Sequence, residues 1–217
     1  MQKILLGVAL TLMNFAAAGQ AIIPFVGSNL SWYQVKGDNY SEPVMGVNAG
    51  ALADISLSSM FLSLQSGLQY THTGGMIVLA NLSLPAPPNK ILYRVDAIQL
   101  PVMLTLKIGD EDGYYFAGAG FYVTANIGGT RDVQTSEVDP FGNISPRHYQ
   151  ESVQFSGRFD FGLYTGAGYH FAKGLELYAF YQKILSETDA RACQAGLAVR
   201  YTLKTGGNKA KHKARLK

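Results

Sequence analysis

The sequence predicts an all-β protein: a cleaved signal peptide, then one eight-stranded, antiparallel, up-and-down transmembrane β-barrel. Three observations carry this prediction. Two consecutive segments alternate apolar with small or polar residues for about ten residues each, the length a tilted strand needs to cross a bilayer. The connections between such segments alternate between long and short. The N-terminus has the make-up of a secretory leader.

The two segments form a hairpin, Tyr93 to Ile108 and Tyr114 to Ile127, joined by a tight acidic turn. In the first, Ile98, Leu100, Val102, Leu104, Leu106 and Ile108 share a face, and Gln99, Pro101, Met103, Thr105 and Lys107 share the other. In the second, Tyr115, Ala117, Ala119, Phe121, Val123, Ala125 and Ile127 oppose Tyr114, Phe116, Gly118, Gly120, Tyr122, Thr124 and Asn126. One face suits lipid and the other a lumen. Strands of soluble sandwiches are shorter, about 5–6 residues.

The chain has 217 residues, which suits one domain. Charged residues make up 15%, below the ~25% of ordinary globular chains. No run approaches the ~20 apolar residues of a spanning helix. Cys193 is the single cysteine, so no intrachain disulfide forms, and it reads as a small hydrophobe on a strand's apolar face. The net charge of +3 belongs to the ends. Lys3 lies in the leader, and Lys209, Lys211, Lys213, Arg215 and Lys217 lie in the last few residues; the body between them carries more acid than base.

Residues 1–21 read as the signal peptide. Lys3 is its positive region, Ile4 to Phe15 its apolar stretch, and cleavage after Ala18 or Ala21 satisfies the small-residue rule. Residues 22–204 form the barrel domain. Residues 205–217 are basic, have no acidic residue, cannot form a packed core, and are expected to be a disordered tail.

Besides the hairpin, six further strands are expected, at about Ile22–Trp32, Val44–Ile55, Met60–Thr71, Val153–Tyr169, Leu175–Leu185 and Ala192–Leu203. Of the connections after the first, third, fifth and seventh strands, Tyr33–Pro43, His72–Leu92 and Gly128–Glu151 are long and polar, and Ser186–Arg191 is the exception. Ser56–Ser59, Gly109–Gly113 and His170–Gly174 are tight. Outer-membrane barrels have short periplasmic turns, long outside loops and an even strand number. Both termini are then expected in the periplasm. The stretch Ser83 to Asn89, rich in proline, reads as an outer loop, because proline donates no ladder bond.

Every charge that falls mid-strand falls on the inward face: Asp54, Lys107, Arg158, Asp160, Glu176 and Arg200. An eight-stranded barrel has room inside for side chains and not for a water channel, so these six are expected to pair with one another. The aromatic residues Trp32, Tyr33, Tyr70, Tyr93, Tyr114, Tyr115, Tyr169, Phe171, Tyr181 and Tyr201 cluster at strand ends and read as interfacial girdles. The competing reading is a soluble, lipocalin-like barrel with the leucine-rich face inside. There is no Gly-x-Ser-x-Gly, P-loop or His-Glu-x-x-His motif, and the four histidines are scattered over connections and tail. No enzyme activity, cofactor or metal is expected; the chain reads as a structural or adaptor barrel of the cell envelope, with a secretion-machinery component and a lipid-active or ligand-binding barrel as the alternatives. Nucleic acid is excluded by compartment. The expected partners are membrane lipid and, through the loops or tail, periplasmic or secretion-system proteins, with the barrel itself a monomer.

Several stretches are similar to one family. Ala97-Ile-Gln-Leu-Pro-Val-Met-Leu-Thr-Leu-Lys107 resembles the Pro-containing strand of the PorT-like outer-membrane β-barrel proteins of the Bacteroidetes lineage. Tyr114 to Tyr122, with its Gly-Ala-Gly, resembles the strand that follows, and Phe159-Asp-Phe-Gly to Gly168 resembles a later one. Gly27-Ser-Asn-Leu-Ser31 is similar to the first strand. The resemblance covers roughly Ile22 to Leu203. Two departures stand out: Gln65 and Gln69 where the family usually carries a Glu, and a tail beyond the last strand. The resemblance implies an integral outer-membrane protein, and for one class of members a part in protein secretion.

Overall fold

The computed structural model describes residues 21–35, 40–57, 61–79, 89–110, 113–138, 144–153, 159–185 and 190–204. The expected leader and the basic tail lie outside the described residues. So does the stretch 80–88, which contains most of the proline-rich segment.

The strands are β1 (Ala21–Val35), β2 (Tyr40–Glu42), β3 (Val44–Ser56), β4 (Leu62–Leu79), β5 (Asn89–Asp110), β6 (Gly113–Val138), β7 (Ile144–Ser152), β8 (Phe159–Phe171), β9 (Leu175–Ile184), β10 (Ala190–Tyr201) and β11 (Leu203–Lys204). Eight of them, β1, β3, β4, β5, β6, β8, β9 and β10, pair antiparallel with their neighbours, and β1 pairs β10 to close the ring. Closure leaves no unpaired edge, which a strand in hydrocarbon could not tolerate. β11 continues β10 along β1, with Leu203 opposite Ile22.

Alternation decides which way the sheet faces. Met45, Val102, Leu104, Leu106, Phe121, Leu163 and Leu197 point outward and are exposed; Gln65, Gln69, Gln99, Thr105, Gln182 and Arg200 point inward and are buried. A soluble barrel of lipocalin type requires the reverse. The outward apolar band on β6 runs from Tyr115 to Ile127, about 40 Å along the strand at ~3.3 Å per residue, hence ~28 Å tall at a ~45° tilt, enough for a bilayer core.

The interior is packed. Met103, Phe116, Tyr122, Tyr164, Tyr178, Phe180 and Ala198 form its buried core. Glycines on neighbouring strands make the room. A Cβ on Gly168 would lie 2.6 Å from the Phe116 ring, and one on Gly196 2.5 Å from the Phe180 ring. The Gly-Ala-Gly repeats put glycine inward and alanine outward: Gly166 and Gly168 lie under the Tyr178 and Phe116 rings, and Gly118 lies against Met103 and Thr105.

Pro101 sits inside β5 despite having strands on both sides. The β4–β5 register is the same above and below it, Ser66 with Val102 and Gln69 with Gln99, but the pairs between are missing from the ladder. Proline has no N–H to donate there. Continuous pairing with Tyr122 on β6 holds the strand through the gap.

Three expectations require correction. The connections His72–Leu92, Gly128–Glu151 and Tyr33–Pro43 are largely strand. β4 and β5 stay paired out to Leu79 and Asn89, β6 runs on to Val138 and pairs with β7, and β2 pairs β4. Threonine, tyrosine, valine and isoleucine in these stretches suit a pleated sheet above the bilayer as well as within it. Val153 itself lies outside any strand, and the strand expected from it is described from Phe159 onward, with 154–158 outside the described residues. Finally, Tyr33, Tyr93 and Tyr114 belong to no lipid-facing girdle: Tyr33 packs edge-on to Tyr93, and Tyr114 stacks on His170 in the lumen.

Candidate functional site in the lumen and at the loop end

Near the tight-turn end, the lumen holds one connected polar network. Hairpin geometry sets its core. β9 and β10 pair Glu176 with Arg200, and β8 and β9 pair His170 with Glu176. Nε of Arg200 lies 3.0 Å from Oε2 of Glu176. That contact is off the hydrogen-bond axis, since both atoms lack a hydrogen-bond partner by angle, so we read it as Coulombic. Nδ1 of His170 lies 3.0 Å from Oε1 of the same carboxylate, and the Thr202 hydroxyl donates to it at 2.5 Å. Nη2 of Arg200 donates to Gln65 Oε1 at 2.9 Å, and Gln65 Nε2 donates to Asp54 at 3.4 Å. Lys107 completes the chain as an ion pair with Asp54.

Arg200 is 1% exposed, and removing a cation from water is costly unless other groups replace the hydration. Two rings help here. The guanidinium carbon lies 4.6 Å from the Tyr178 centroid and 5.1 Å from that of Phe116, within cation–π range. Charge, amide and ring together fill the bore at this depth.

Of the six inward charges expected to pair, Asp54, Lys107, Glu176 and Arg200 come together. Asp160 does not join them: it lies opposite Thr124, nearer the loop end, and accepts from Asn126 Nδ2 at 3.4 Å. Arg158 lies outside the described residues, as do Lys209, Lys211, Lys213, Arg215 and Lys217. Sequence reasoning missed Gln65, His170 and Thr202 as members of the network. The first two were legible: counting across the tight turn at Ala172–Gly174 puts His170 opposite Glu176, and Gln65 stands where a charged residue was expected.

A second cluster faces outward at the loop end. The Tyr70 hydroxyl donates to Asp96 Oδ1 at 2.5 Å, and His72 Nδ1 lies 2.8 Å from the same oxygen. Asp96 sits at the level of Gly128, one residue past the apolar band. The Tyr70 hydroxyl and then the His72 ring hold its carboxyl below the usual carboxylate range. Tyr70 is exposed on the outward face, and Trp32 packs against Tyr181 across β10 with ring centroids 6.4 Å apart. Cys193 is opposite Trp32 in register and buried. The described residues contain no group of three or more His, Cys, Asp or Glu placed to hold a metal ion.

A closed antiparallel ring, with an apolar belt outside and a filled polar bore, defines an integral outer-membrane β-barrel. The chain belongs to the outer membrane protein beta-barrel domain family, which matches residues 20–186. No curated protein matches the chain. Among solved structures, the chain is similar to the outer membrane protein OprG from Pseudomonas aeruginosa, with 8% identity, 86% of this chain and 96% of that one covered, and a TM-score of 0.47. It is also similar to Ail, the attachment invasion locus protein of Yersinia pestis, solved with the heparin analogue sucrose octasulfate, with 14% identity, coverage of 84% and 98%, and a TM-score of 0.44. Neisserial surface protein A gives 14%, 84% and 99%, and 0.41.

Proposed function

We propose that this protein is a non-enzymatic adaptor of the cell envelope, of the PorT-like kind, in which the barrel is the anchor and the loop end is the working surface. The observation that carries the reading is the sheet β2–β4–β5–β6–β7, which continues past the apolar band with intact ladders. Ordered backbone there provides a rigid platform for another envelope protein. The filled bore argues against conduction.

In this reading both termini lie in the periplasm after cleavage of the leader, and the basic tail offers a second, electrostatic contact there. β1 begins at Ala21, which is buried; a cut after Ala18 leaves that strand whole. A part in protein secretion, which the PorT resemblance implies, is the alternative. Photo-crosslinking from Tyr149 on β7, in cells with and without truncation after Lys204, tests the adaptor reading. A discrete crosslinked partner supports it, and no crosslink from either chain rejects it. Deletion of the gene with loss of secreted proteins would favour the secretion role.

A further inference from the structure

On the outward face of the loop-end sheet, Met76, Lys90, Leu92, Arg94, Asp132, Gln134 and His148 line an open groove of about 310 Å³. We propose that this groove binds the phosphorylated sugar headgroup of a glycolipid in the surrounding leaflet. The proposal rests on the reading that this end of the barrel faces outside.

A bulge builds the groove. The β5–β6 register shifts between Asp96 and Ala97, so that Asp96 pairs with Gly128 and Ala97 with Asn126. The extra residue, Ile127, changes which β6 side chains share a face with β5. Without it, Arg131 and Val133 would oppose Leu92 and Lys90. With it, Asp132 and Gln134 do, and Arg131 turns to the other face to pair with Glu151.

Charge gives the ligand its sign. Lys90 and Arg94 meet one carboxylate, Asp132, which lies 3.4 Å from Arg94, and the His148 ring adds a hydrogen-bonding group. Among the described residues Arg94 uses one of its five donors, on Asp132, which leaves the others to a planar anion, and no described carboxylate pairs with Lys90. Leu92 and Met76 supply an apolar floor on which the C–H face of a sugar can rest.

Depth selects the lipid. Ile98 is the last apolar outward residue of β5 below this region. Arg94 and Lys90 follow four and eight residues further on, about 13 and 26 Å along the strand, or ~9 and ~19 Å in height at ~45° tilt. The interfacial layer of an ordinary bilayer is only about 5–7 Å per leaflet. The groove therefore stands above a phosphoglyceride headgroup and level with a phosphorylated saccharide.

The test uses full-length protein folded in detergent, where both ends are accessible. Probes are deacylated lipopolysaccharide, the same glycan after phosphatase treatment, and inorganic phosphate. Wild type should bind the phosphorylated glycan, with at least tenfold loss in Lys90→Gln/Arg94→Gln and a similar loss on phosphatase treatment. Equal binding by the variant, equal binding of the dephosphorylated glycan, or equal competition by inorganic phosphate would overturn the proposal. Should the double variant fail to fold, Lys90→Gln alone, at a side chain that pairs with no described carboxylate, should still weaken binding at least threefold, and unchanged affinity would overturn it. Orientation is read separately, by labelling Gln134→Cys with an impermeant maleimide on whole cells in a Cys193→Ser background.

Discussion

Arg200 and Glu176 stand opposite each other on adjacent strands, with Nε 3.0 Å from Oε2, at the centre of the lumen network. Their removal should be asymmetric. Arg200→Leu strands a buried carboxylate and should cost about 3–5 kcal/mol. Pairing it with Glu176→Leu should recover most of that loss, because no unpaired charge then remains. Urea unfolding of detergent-solubilised protein, followed by the heat-sensitive gel shift, gives both numbers. Planar-bilayer recordings of wild type should show no steady conductance, since rings and amides fill the bore.

The glycine repeats give a contrast between adjacent positions. Gly168→Leu puts side-chain atoms into the Phe116 ring, since a Cβ alone would lie 2.6 Å away. It should cost about 1–3 kcal/mol, as overpacked cores do. Ala167→Leu, one residue away and facing lipid, should be within ~0.5 kcal/mol of wild type. The same unfolding assay separates them.

The Asp96 carboxyl is held below its ordinary value by Tyr70 and His72. A depressed folded value means the contribution is fully present above the unfolded value of about 3.9. It is lost as pH falls through the folded value. Asp96→Asn should therefore be less stable than wild type at pH 7, and the gap should close on acidification below about pH 4. Thermal melts of both proteins across that range check the sign.

Much of this was legible in the sequence because one constraint dominates. A strand in lipid must present an apolar residue at every second position, so faces, strand number and inward charges followed from alternation alone. Arg200, Glu176, Lys107 and Asp54 were visible as inward charges for that reason. Their partners depended on register, which only the short turns reveal. The upper parts of β4, β5 and β6 were hidden because lipid no longer constrains them: Lys90, Asp132 and Gln134 read as loop polarity. The bulge at Ile127 also broke the parity that would have placed Asp132 beside Arg94.

The most direct measurement is nitroxide accessibility along β5. Single cysteines replace Val102, Met103, Leu104, Thr105 and Leu106 in a Cys193→Ser background, each spin-labelled and reconstituted in lipid vesicles. Labels at 102, 104 and 106 should collide with membrane-dissolved oxygen and be shielded from a water-soluble nickel chelate. Labels at 103 and 105 should be shielded from both, in a packed lumen. Nickel access at 102, 104 and 106, or no alternation between neighbours, would contradict a barrel that turns its leucines to lipid.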